Sequence, residues 1–341
     1  MRALHLKDGR SARDAYDAAL ASQDGDAAAA VVTTLLLEGT PPVQVLTDVI
    51  AVAQRDVGTR WQRGEWTVAE EHAATATSMW ATKIVRAHVG RPPATRGRVI
   101  VACAEREWHE LPAMIIECAL RAAGWDTTLL GASTSPLRLN QYLQDLGPEA
   151  VAVSCSVLGA LPSARRFIEA STASGVPILV GGAAFGPDDL RARALGATAW
   201  APNASGAVAA MDMLPAVVSA VPPLAIDAAN ELGTLDVDQR TLVERLSARW
   251  SLTRVVEPDQ RRVTRGFAAE AVRQVFHAVS AALLTGDPRA VQETAAWIGE
   301  LLRSRGVSVT FTDELGELLV AALGDYPLAQ TIVQRHYPTV G

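Results

Sequence analysis

Apolar residues in the first ninety positions recur at helical spacing. Leu46, Val49, Ile50, Ala53, Val57 and Trp61 share one face, and Gly64 follows as a stop. Thr67, three residues before Glu70, has the form of a capping box, in which hydroxyl and carboxylate satisfy the first amides of a helix. That helix is expected to run to about Val89, and Gly90-Arg-Pro-Pro breaks the pattern, so a boundary falls at residue 93. Residues 1–93 thus read as a helical bundle.

The rhythm changes over 94–214. Short apolar runs at 98–104, 126–131, 149–155, 177–182 and 197–201 alternate with helical segments. Those helices end at Gly124, Gly147, Gly175 and Gly196, as left-handed helix ends require. Continuous apolar strands separated by helices predict a Rossmann-like parallel α/β domain with its sheet covered on both faces. Ligands on such sheets sit at the carboxyl ends of the strands. Residues 215–236, with a Pro-Pro break, read as a linker, and 237–341 as an all-helical domain. The fold class is therefore multidomain α and α/β.

Composition narrows the function. Hydrophobic residues make up 49% and charged residues 20% of 341, enough for sizeable cores. The net charge of −6 argues against broad binding to nucleic acid. Lys7 and Lys83 are the only lysines; all other basic side chains apart from histidine are Arg. Cys103, Cys118 and Cys155 fit neither a disulfide framework nor a zinc site. The start, MRALHLKDGR, has no apolar targeting stretch, and no run reaches membrane-spanning length, so a cytoplasmic protein with no membrane contact is expected.

The loop after the first strand reads Glu105-Arg-Glu107-Trp-His109-Glu-Leu-Pro112. A strand-end His preceded by a carboxylate two residues earlier suits a metal ligand. The carboxylate accepts the distal ring N–H and fixes the tautomer. A solvated or loop-bracing imidazole is the plain alternative. The third strand ends in Ser154-Cys-Ser156 and the fourth in Gly181-Gly182, small residues that leave a slot between strand ends.

Together these residues resemble the cobalamin-binding Rossmann domain, whose pattern is Asp-x-His-x-x-Gly, then Ser-x-Leu, then Gly-Gly. The resemblance implies His109 as lower cobalt ligand, Glu107 as its carboxylate partner, and Ser154, Ser156, Gly181 and Gly182 along the slot for the nucleotide tail. Glu107 stands where Asp is usual, Pro112 where Gly is usual and Ser156 where Leu is usual. The string from Trp61 to His72 is similar to the W…EH segment of light-dependent cobalamin regulators related to the MerR-type photoreceptors. It implies that Trp61 covers the upper, adenosyl face with Glu71 and His72 beside it. Gln62 stands where those proteins often have His.

The chain as read has no room for a helix-turn-helix domain before the bundle, so direct nucleic-acid binding is not expected. The order of bundle, cobalamin domain and helical C-terminal domain with a globin-like pattern resembles the photocobilins. That resemblance implies a photoreceptor pairing adenosylcobalamin with a bilin, here biliverdin. With no cysteine in 237–341, the bilin would be held noncovalently. Arg262, in a cluster with Arg254, Arg261 and Arg265, suits propionates, against the alternative of a solvated loop. His277 and His336 suit pyrrole nitrogens or water, against the alternative of a packed or surface histidine. Trp250, Phe276, Trp297 and Tyr337 suit a flat chromophore or simple core. No enzymatic turnover is expected, and the partners implied are the two chromophores, a downstream signalling protein and further copies of the chain in a homo-oligomer. The alternative is a corrinoid shuttle protein for methyl transfer.

Overall fold

A computed structural model describes residues 9–254 and 261–338, with the side chains of 11–252 and 266–338. The chain divides into two compact units. The first comprises residues 1–156 and 163–221, the second 157–162 and 222–341.

The first unit opens with α1 (Gly9–Ala21) and α2 (Gly25–Leu37). A short turn, α3 (Pro42–Gln44), leads through a π-helical segment (Val45–Ile50) into α4 (Ala51–Gln62). Then comes α5 (Val68–Val89). The expected capping box is present. Thr67 Oγ1 accepts from the Glu70 amide at 3.3 Å, and the Glu70 carboxylate accepts from the Thr67 amide at 2.7 Å. Leu46, Val49, Ile50, Ala53 and Val57 are buried in the bundle core, while Trp61 is only partly buried.

The α/β part then runs β1 (Arg98–Cys103), α6 (Glu110–Ala122), β2 (Asp126–Leu129), α7 (Pro136–Leu146) and β3 (Ala150–Ser154). It continues with α8 (Leu161–Ala173), β4 (Ile178–Gly181), α9 (Leu190–Ala194), β5 (Ala199–Ala201) and α10 (Ala204–Met211). All pairings are parallel, in the order β2-β1-β3-β4-β5. The chain reverses its direction of travel at β1 and β3, so their carboxyl ends flank the crevice where ligands of open parallel sheets bind. Gly124, Gly147, Gly175 and Gly196 all have positive φ, between 54° and 94°, as the helix ends demanded. The helix α6 serves two cores: Leu111, Ile115, Cys118 and Ala119 join the bundle, while Ala113 and Leu120 join the sheet.

The second unit is helical: α11 (Ile226–Arg249), α12 (Arg261–Thr285), α13 (Arg289–Ser304), α14 (Thr310–Ala322) and α15 (Pro327–His336). Its first helix starts at Ile226, well inside the stretch read as a linker at 215–236. Pro222 and Pro223 hid the start because a proline pair breaks a pattern without showing where the next one begins. The second unit also takes residues 157–162, where Ala160 and Leu161 are fully buried. Among the described residues, no helix is long and apolar enough to cross a membrane.

Candidate functional site

The loop leaving β1 is shaped by its own backbone. Arg106 has φ +71° and Ser133, in the loop after β2, has φ +45°, a region uncommon for residues with a side chain. The two are tied together: the Arg106 amide donates to Ser133 Oγ at 3.1 Å, and the Ser133 amide donates to the Glu107 carbonyl at 2.8 Å. This clamp sets Glu107 facing inward. Its residue is fully buried, and one carboxylate oxygen, Oε1, accepts from both the amide and Nδ1 of His109, at 2.8 and 2.6 Å. The other oxygen, Oε2, accepts from the Ser156 amide after β3. Glu107 therefore ties the β1 loop to the β3 loop across the crevice.

His109 caps α6 and keeps 63% of its side chain exposed. With Nδ1 engaged by Glu107, Nε2 is the ring nitrogen left for a metal. Burial pushes the Glu107 carboxyl up, but the bonds from His109 and Ser156 outweigh it and hold Glu107 below the usual carboxylate range. The Glu107 hydrogen bond raises His109 against the opposing effect of burial, helped by the charges of Glu107 and of Glu71 on α5. The sign follows. A raised imidazole stabilises the ligand-free fold fully below its ordinary value of 6.5, and that contribution is lost as pH rises through the raised value. An NMR titration of the ligand-free chain is expected to place the His109 midpoint above 6.5, and Glu107→Gln to bring it down.

Beside this pair lies a cavity of about 770 Å³. Its mouth carries Ser154, Ser156, Gly181 and Gly182 at the strand ends. Its depth reaches Val101, Ala152 and Leu179 on the sheet, between α6 and α10. Thr47 and Asp48 of the π-helical segment and Gln54 of α4 close it from the bundle. Ser154, Ser156, Gly181 and Gly182, read from the sequence as bordering a slot, all line this cavity. Pro112, where the resemblance has Gly, sits in the first turn of α6, where a missing amide costs nothing, and lines the same cavity.

The W…EH string spans the junction of α4 and α5. Glu71 accepts from Thr75 at 2.9 Å and lies 3.4 Å from His72 Nε2; Thr75 in turn accepts from Gln54 at 2.6 Å. Glu71 is close enough for its charge to act on His109, whereas His72 is 73% exposed. Trp61, Glu71, His72 and His109 are not among the walls of the cavity.

Trp250 is fully buried and donates to the Phe311 carbonyl at 2.9 Å; Phe276 is fully buried, and Tyr337 nearly so. Trp297 is partly buried. His277 stands against Gly159, where an added Cβ would come within 2.7 Å of its ring. His336 lies half-buried in the last turn of α15. The side chains of Arg262 and of Arg254, Arg261 and Arg265 lie outside the described residues. Cys103, Cys118 and Cys155 are buried, and burial pushes the Cys103 thiol up to about 12.

Sequence reasoning missed Ser133, Gln54 and Trp200. A Trp within the alanine-rich run 197–201, at the ligand end of a strand, was the available signal for the last.

Two family models, each described as a B12 binding domain, match residues 97–211 and 12–84. The HTH-type transcriptional repressor CarH of Myxococcus xanthus is 31% identical over 155 residues, 44% of this chain and 50% of the relative. The chain thus spans about half the length of that curated relative. The monomethylamine corrinoid protein of Methanosarcina barkeri superposes with a TM-score of 0.53 at 18% identity, over 61% of this chain and all of its own, a likeness of fold. The chain carries B12-binding domains in both its bundle and its α/β part.

Proposed function

We propose that the chain is a light sensor that holds adenosylcobalamin between bundle and sheet and signals by a change of conformation. One observation carries the cobalt site: His109 Nδ1 is held at 2.6 Å by a buried carboxylate that is itself anchored on Ser156. Such a partner keeps the proton on Nδ1, orients the ring and raises the basicity of Nε2 toward a metal. The adjoining slot fits a planar, partly polar tail displaced from the metal, since its mouth is built of Ser and Gly and its depth of apolar strand residues. When bound, adenosylcobalamin supplies a cobalt–carbon bond that visible light breaks.

The adenosyl form and the light response rest on the W…EH string. Trp61 covers the upper face and Glu71 with His72 stands beside it, on the junction of α4 and α5. A bundle that repositions when the cobalt–carbon bond breaks is a bistable element of the kind that turns a local event into an output. That output passes to a downstream signalling protein or to another copy of the chain. Under the photocobilin resemblance the second unit holds biliverdin without a covalent bond, which agrees with its lack of cysteine.

The test is absorption of the chain given adenosylcobalamin, recorded in the dark and after green light, with light scattering on both samples. A light-driven spectral change accompanied by a change in size or shape is expected. A spectral change with no physical response, together with equal binding of methylcobalamin, supports the corrinoid shuttle instead.

A further inference from the structure

The helix α11 packs into the second unit through one face. Leu235, Leu242, Val243 and Leu246 are buried there. Beside them Glu231 accepts from the Ala329 amide and Asp238 from the Tyr326 hydroxyl, each at 2.6 Å. At 3.6 residues per turn, the opposite face carries Ile226, Gly233, Val237 and Ala248. Ile226 is 76% and Val237 80% exposed. Gly233 weakens the middle of the helix relative to alanine. A Cβ there would meet nothing within 4 Å, so no contact within the chain calls for a glycine. A missing side chain at an open position suits the close approach of another backbone.

The charges say which backbone. Val237 stands at the middle of α11, with the exposed Asp227 and Asp236 before it and the exposed Arg240 and Arg245 after it. Asp227 and Arg245 share one flank of the open face, Asp236 and Arg240 the other. When a second copy lies antiparallel, with Val237 on Val237, positions equally far before and after Val237 face each other. Asp227 then stands opposite Arg245 and Asp236 opposite Arg240, with an offset along the axis of about 3 Å that an Arg side chain spans. The two-fold axis makes each contact twice. Ile226 meets Ala248 and Gly233 meets Thr241, so small residues face larger ones. A parallel pair would instead set Asp227 on Asp227 and Arg245 on Arg245.

We infer that the exposed face of α11 is an antiparallel interface between two copies of this chain, centred on Val237. The interface needs no bound cobalamin and stands apart from the reading above.

The test is sedimentation equilibrium of the full ligand-free chain, in which a concentration-dependent dimer is expected. Arg245→Asp exchanges two attractions for two repulsions and is expected to weaken the dimer about tenfold. Adding Asp227→Arg to it sets opposite charges face to face again, and recovery to within about threefold of wild type is expected. Such recovery places the effect of the single change at the interface and not in the fold. Register is read by oxidative cross-linking. Val237→Cys is expected to give a disulfide-linked dimer. Asn230→Cys, about 21 Å from its own copy in this arrangement, is expected to give none. The three native cysteines are fully buried, so wild type supplies the background. A wild type that stays monomeric, a dimer unmoved by Arg245→Asp, a double variant without recovery, or equal cross-linking at both positions overturns the inference.

Discussion

Replacing His109 with alanine is expected to weaken cobalamin binding by about a hundredfold or more. Changes to groups that merely orient a ligand already cost metal affinity about 10–100-fold, and this change removes the ligand itself. What cobalamin still binds should keep its own benzimidazole on the metal, because the imidazole–cobalt bond and the tail's exit into the cavity are coupled. The absorption spectrum reads the ligand directly. A variant spectrum identical to that of wild type would remove His109 from the cobalt. The fold should survive, since the side chain is largely exposed and its loss leaves Glu107 still anchored on Ser156.

Gly182→Ala is expected to cost the protein itself about 3 kcal/mol or more, before any ligand is considered. Gly182 has φ +108° and ψ 164°, a region essentially reserved for glycine. A Cβ there would also lie 2.4 Å from the Cys155 carbonyl oxygen and 3.0 Å from its nitrogen, both backbone atoms that no rotamer can move. A denaturant titration of the ligand-free variant should show a clearly lowered midpoint. An unchanged midpoint would mean that the β3 and β4 ends do not approach as closely as described. Gly181 shows the same crowding, with a Cβ 2.8 Å from the Ala201 carbonyl oxygen. The Gly-Gly pair is therefore required by strand packing as well as by the slot it borders.

That dual role marks the limit of the sequence. Strand runs and their terminal glycines were legible because burial on both faces and left-handed helix ends leave local signatures. The pairing of Glu107 with His109 was legible because a carboxylate two residues before a histidine is placed by spacing alone. Ser133 was not: it meets Arg106 through the neighbouring strand, and a loop serine carries no mark of such a contact. Trp200 was read as one more apolar strand residue, since nothing local reveals that its N–H lacks a partner. The start of α11 was hidden by the prolines before it. The aromatic residues of the second unit could line a chromophore but more often serve as core, and Trp250, Phe276 and Tyr337 are buried.

The six residues 157–162 that belong to the second unit also govern how the chain must be made. They leave the ribosome well before α12, the helix they pack against. At about 5–20 residues per second, the roughly 100 intervening residues take on the order of 10 s. During that interval β4 and β5 are added to the three strands already made, while the apolar segment with Ala160 and Leu161 waits for its seat. A frameshift late in the coding sequence would reach back to this loop, half a chain away, so the age of a residue on the ribosome and its place in the finished protein follow different orders.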